Sequence, residues 1–402
     1  MRLIKTTLWM CLPVLLAGGC VEKSESPATV ADRPIAAFRT ELLEAAFECA
    51  TAIPLAPHVK DRARFQQQAF EVALELGQPA RALAFAGQIP NWRQGLAYAN
   101  YAYYCAERGV TNRVGDYLAL ADAAARTAEQ DWRRERVAVR MAQTWELIGR
   151  NDEAAALGKA LNESERAQAE LMNTRHCAED EFDGFAAKLD GQLAIGGLDV
   201  LRGALSAYAA LYERFYENAG RRAMIEEKIA GGWSKLPVID RIDVLEKLAE
   251  VALQKEDREN AVRLVEQVAG LIAGAEWPAE YHAPLLARLA TLRIECGQTE
   301  TALVELRQAR DVFNRGKREI IDIYRTEALI PVAEAYALAG DSTEARAIYA
   351  LAVEEAVVNA NARPRAEDLC QICLSMAKSQ TEPTDALWTR IGRIKDELGA
   401  PW

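Results

Sequence analysis

One turn recurs along this chain in a fixed frame, and that recurrence limits what the chain can fold into. Gly77, Gly109, Gly149, Gly297 and Gly340, with Glu256 in the same frame, each end one apolar-periodic segment and precede another. Seven residues before these turns stand Phe70, Ala102, Ala142, Ala249, Ala290 and Ala333; five residues after them stand Ala82, Val114, Ala154, Ala261, Ala302 and Ala345. Small side chains at both places let two helices approach closely, and glycine at the turn adopts the left-handed backbone that ends the first helix. Further along the second segment, Leu118, Val265, Leu306 and Tyr349, then Ala121, Val268, Ala309 and Ala352, share one helical face. The frame predicts stacked helical hairpins.

Composition agrees. Half of the 402 residues are apolar and 27% are charged, with Ala and Leu abundant, so the fold class expected is all-α. The segment AEAYALAGDSTEARAIYALAVEEA, Ala333 to Ala356, resembles the tetratricopeptide repeat, with Ala333, Tyr336, Gly340, Ala345, Tyr349 and Ala352 at that family's spacing. The resemblance implies an α-solenoid, and the chain departs from it in period: successive turns lie 32, 40, 107, 41 and 43 residues apart, against about 34 in the family. The expected organisation is therefore a TPR-like α-solenoid over residues 36–402, with an irregular segment at 160–235 that the frame does not phase. A last hairpin is predicted over Arg365 to Leu398, as a terminal repeat with one face toward water.

The first residues carry a different signal. Arg2 and Lys5 precede an apolar core from Leu8 to Leu16, too short to span a bilayer. The stretch LLAGGC ending at Cys20 resembles the lipobox of bacterial lipoproteins, which implies a signal peptide over residues 1–19, lipidation of Cys20 and a membrane anchor in the cell envelope facing the periplasm. Val21, not Asp, follows Cys20, and under the enterobacterial sorting rule this points to the outer membrane. Simple secretion and an uncleaved anchor are the alternatives. Residues 20–35 are polar, with two prolines, and read as a flexible tether.

Loss of residues 1–19 moves the formal net charge from −11 to −13. No Lys/Arg run is long enough to offset that acidity for a polyanion, so no nucleic-acid partner is expected. Cys49, Cys105, Cys177, Cys296, Cys370 and Cys373 are too dispersed for a disulfide framework and read as small buried residues. The C-Q-I-C at Cys370 and Cys373 sits in a helical pattern without the strand a redox site needs, although a disulfide there stays open. His58, His176 and His282 fall at no metal-binding spacing. Neither a nucleophile elbow nor a phosphate or dinucleotide loop occurs, so no catalytic residue, metal or cofactor is expected.

Aromatic residues are the better candidates. Trp92, Tyr98, Tyr101, Tyr103 and Tyr104 crowd one helical segment and cannot share one narrow stripe, which makes them candidate partner-binding residues. Tyr208, Tyr212, Phe215 and Tyr216 form a single stripe and read as core. The expected function is a bacterial envelope lipoprotein acting as a non-catalytic scaffold or adaptor for a protein or peptide partner. The alternative is a tethered binder of a glycan or other small ligand. An enzyme with an unrecognised site is the third reading.

Overall fold

A computed structural model describes residues 30–159 and 177–402. Cys20, residues 1–19 read as a signal peptide, and residues 160–176 lie outside the described residues. Among the described residues there are eighteen α-helices and no strand, so the all-α class is as expected.

The helices are α1 (Ala37–Ala52), α2 (Leu55–Glu75), α3 (Pro79–Ala86), α4 (Trp92–Glu107), α5 (Val114–Ala125), α6 (Asp131–Leu147) and α7 (Asn151–Lys159). After residues 160–176 come α8 (Phe182–Ile195), α9 (Leu198–Arg214), α10 (Ala219–Gly232), α11 (Val238–Gln254) and α12 (Arg258–Ala273). The remainder are α13 (Ala279–Glu295), α14 (Thr299–Gly316), α15 (Asp322–Leu338), α16 (Ser342–Ala356), α17 (Ala362–Lys378) and α18 (Asp385–Asp396). Consecutive helices pair as hairpins, and the first helices of neighbouring hairpins touch in series: α2 with α4, α4 with α6, then α9, α11, α13, α15 and α17. This is a helical repeat solenoid.

All six turns of the sequence frame have left-handed backbone, the five glycines at φ 70° to 83° and Glu256 at φ 60°. At each, the amide that follows the turn residue donates to the carbonyl five residues back, as in Gln78 to Ala73 (2.8 Å), Gln298 to Arg293 (2.7 Å) and Asp341 to Tyr336 (3.0 Å). These bonds satisfy carbonyls that the helix end would otherwise orphan. A seventh turn of the same kind stands at Gln380 (φ 57°), with Thr381 donating to Met376 at 3.0 Å. It lacks the glycine, and seven residues before it the small buried side chain is Cys373 instead of Ala. Nearly every register position is buried in the core, the exception being the half-buried Ala142.

The array also curves back on itself. α1 packs along α17, and α17 touches α2, so the N-terminal helix covers the face that the sequence left to water. The expectation of a solvated last hairpin is corrected for α17: Leu369, Cys370, Ile372, Cys373, Met376 and Ala377 are all buried. The Arg39 Nε donates to the Ala377 carbonyl at 2.7 Å, Lys378 pairs with Glu75 at 3.3 Å, and Lys395 pairs with Glu48. At the other end of α17 the Ala362 amide donates to the Pro401 carbonyl at 2.7 Å. Asp32 and Arg33, just before α1, bond to the turn at Gly77: the Arg33 amide donates to the Gly77 carbonyl at 2.8 Å, and Asp32 accepts from the Ala80 amide at 2.8 Å.

Candidate functional site

The first helices of the hairpins touch in series and together form one wall. This is clearest where α11, α13 and α15 meet, in a cleft of about 750 Å³ lined by Glu246, Glu250, Leu253, Gln254, Arg288, Thr291, Leu292, Glu295, Pro331 and Glu334. Each helix contributes residues three or four apart, one face of an α-helix. The lining is acidic. Burial raises the carboxyl pKa of Glu246, against the pull of the Arg288 guanidinium, which bonds its Oε2 at 2.9 Å through Nε. Burial and then the charge of Glu250 raise Glu295. Burial raises Glu334 as well, opposed by the Ser375 hydroxyl, which donates to its Oε1 at 2.7 Å, and by Lys378.

Along the wall, past α17 and α2, the charge reverses. On α4 and α6, Arg93, Arg133 and Arg136 gather around Trp92 and Trp132, whose rings meet edge to face at 5.5 Å. Arg93 lies 5.1 Å from the Trp92 ring centroid, and Arg133 and Arg136 lie 5.3 and 5.8 Å from that of Trp132. Trp132 is 43% exposed. Arg140, one turn further along α6, lies 4.7 Å over the Tyr103 ring. Burial and then the charge of Arg64 lower the Arg93 pKa, with Arg136 and Arg133 adding to the effect and Glu71 opposing it.

The aromatic residues singled out from sequence all lie on α4 but face different ways. Trp92, only 5% exposed, packs into the core beside Trp132. Tyr101 is buried edge to face with Tyr117 at 4.8 Å, and burial raises its hydroxyl pKa. Tyr104 is buried beneath the Arg108 guanidinium at 3.4 Å, whereas Tyr98 and Tyr103 are half-buried. Sequence reasoning passed over Trp132 and the arginines of α6. Their signal was present in DWRRERVAVR, where Arg133, Arg136 and Arg140 recur at helical spacing within an acidic chain.

The stripe Tyr208, Tyr212, Phe215 and Tyr216 is buried as expected. The Asn260 amide nitrogen donates to the Tyr212 and Tyr216 hydroxyls at 2.8 and 3.0 Å, which ties α9 to α12. The six cysteines among the described residues are free and buried, as expected of small core residues. Among the described residues no group of His, Cys, Asp and Glu could hold a metal ion, and no helix is long and apolar enough to cross a membrane.

No family model matches the chain, and no curated protein matches it. A solved structure described as a circular tandem repeat protein with novel repeat topology and enhanced subunit contact surfaces is similar over 90% of this chain and 95% of its own, at 16% identity. Its TM-score is 0.22, a likeness too shallow to carry an argument.

Proposed function

We propose that this protein is a TPR-like scaffold of the bacterial cell envelope, made with a signal peptide, anchored through lipidated Cys20 and built to dock a protein partner on this wall, without catalysing a reaction. The observation that carries this reading is the wall itself, a continuous surface of successive helices that is acidic at α11–α15 and basic and aromatic at α4–α6. Such curved, chemically varied surfaces fit extended segments or helices of other proteins. The lipobox resemblance and the polar segment after Cys20 support an anchored molecule facing the periplasm, with the outer membrane as its place. No nucleic acid or cofactor belongs to this reading.

In-cell crosslinking of the tagged full-length chain, with affinity capture and mass spectrometry, tests it. One dominant envelope partner, reduced in Cys20→Ala, is the expected result; no enriched protein in well-crosslinked cells overturns the scaffold. Cys20→Ala should also abolish lipid labelling and membrane fractionation, and unchanged fractionation overturns the anchor.

The second reading, a tethered reader of a glycan or similar small ligand, draws on the half-exposed ring of Trp132 beside Trp92. A saturable change in tryptophan fluorescence with one member of a glycan panel, lost in Trp132→Ala, would favour it.

A further inference from the structure

Most arginines that cross between helices here meet a carboxylate. Arg202 pairs with Asp240 at 2.7 Å, Arg293 with Glu305 at 2.6 Å, Arg310 with Glu344 at 2.6 Å and Arg390 with Glu354 at 2.8 Å. On the wall at α4 and α6 that rule fails. Arg93 donates to the neutral amide oxygen of Gln67 at 2.6 Å, while Gln67 itself donates to Glu71 at 2.7 Å. Arg133 and Arg136 lie against Trp132 and make no ion pair among the described residues, and the Arg133 Nε is buried without a hydrogen-bond partner. Three guanidiniums thus crowd together, without carboxylate partners among the described residues, in a chain of net charge −11.

We propose that this stretch of the wall is a docking site for an acidic peptide segment of a partner protein, its carboxylates taken by Arg93, Arg133 and Arg136 and an adjacent aromatic side chain laid on Trp132. This deepens the scaffold reading and rests on it. Guanidinium forks match carboxylates in two-bond geometry, and a tryptophan already flanked by arginines offers a flat apolar surface beside them. Charge complementarity selects the length of the acidic stretch. Beyond Gln67 the wall presents Glu71 and Glu75 and then Glu334, so a long polyanion would run into like charge, whereas a peptide can stop its acidic stretch there.

The test is fluorescence anisotropy of the full-length chain with a short labelled peptide in which Asp and Glu flank Phe. Its comparators are the same peptide with Lys for each acid, the same peptide with Ala for Phe, and heparin as a sulfated glycan. Saturable binding of the acidic Phe peptide, weakened by salt, is expected. Arg133→Gln with Arg136→Gln should weaken it by about tenfold or more, as should Trp132→Ala, while Arg318→Gln, at an exposed arginine elsewhere, leaves it unchanged. Arg133→Lys with Arg136→Lys keeps the charge, guards against misfolding as the cause, and should fall between. Equal binding of the Lys peptide, indifference to the α6 variants, or tighter binding of heparin that the same variants abolish would each overturn the peptide site. In the crosslinking experiment, a partner captured equally by wild type and by the paired Gln variant overturns this site and leaves the scaffold standing; no partner for wild type removes the scaffold itself.

Discussion

At Gly95 a methyl group would stand 2.7 Å from the Ala121 carbonyl oxygen and 3.1 Å from the Ala125 amide nitrogen, both backbone atoms of α5. Nothing flexible can yield, so Gly95→Ala should force α4 and α5 apart and cost about 1–3 kcal/mol. Gly392 sits mid-helix in α18 with nothing within 4 Å of where a methyl group would go, and Gly392→Ala should stabilise by about 0.5–1 kcal/mol. Denaturant unfolding of the two variants checks the opposite signs. Asp368 is a second residue with a clear expectation. Burial on α17, with Glu367, Glu327 and Asp322 adding like charge and the Thr326 hydroxyl opposing, raises its carboxyl from an ordinary 3.8 to about 8. The unfolded chain therefore gives up this proton near pH 3.8 while the folded chain holds it to about pH 8, so folding loses stability as pH rises through that window. In Asp368→Asn that loss should vanish, widening the variant's advantage by about 3 kcal/mol between roughly pH 5 and pH 8. Thermal melts across that range measure it, and parallel profiles for the two proteins would refute the buried acid.

Among the elements, the hairpin frame was legible because its physics is local. A left-handed glycine, an Ala seven residues before and another five after are fixed by one turn and two touching helices, and the turns at Gly77, Gly109, Gly149, Glu256, Gly297 and Gly340 all appear. The α17–α18 hairpin was expected, but its turn fell outside the frame because Gln380 replaces the glycine and Cys373 takes the register place of Ala. The helices α9 and α10 fall within the segment that the frame did not phase, and no left-handed residue separates them. The wall patch escaped for another reason. Trp132, Arg133 and Arg136 become informative only when α4 brings Trp92 and Arg93 beside them, and the crowded rings of α4 drew attention to side chains whose packing is mostly internal.

For the molecule as a whole, the contact between α1 and α17 is the part no local pattern could announce, because it joins residues more than three hundred positions apart, such as Arg39 and Ala377. It seats Cys49, Cys370 and Cys373 in one buried joint, where burial pushes the Cys49 thiol up to about 12 and raises the other two well above an ordinary thiol. Thiols so placed resist alkylation while the joint is closed. Labels on Glu48→Cys and Asp396→Cys, beside the joint, should therefore be selective and show high energy transfer in native buffer. Transfer should fall in the same denaturant range in which the native thiols become reactive, and low transfer in the native protein would refute the joint. An open row of hairpins can lengthen or shorten by one unit and remain a row. A row whose first helix must meet α17, its last helix but one, has both ends tied, so a hairpin gained or lost between them would have to be accommodated without drawing α1 off that neighbour.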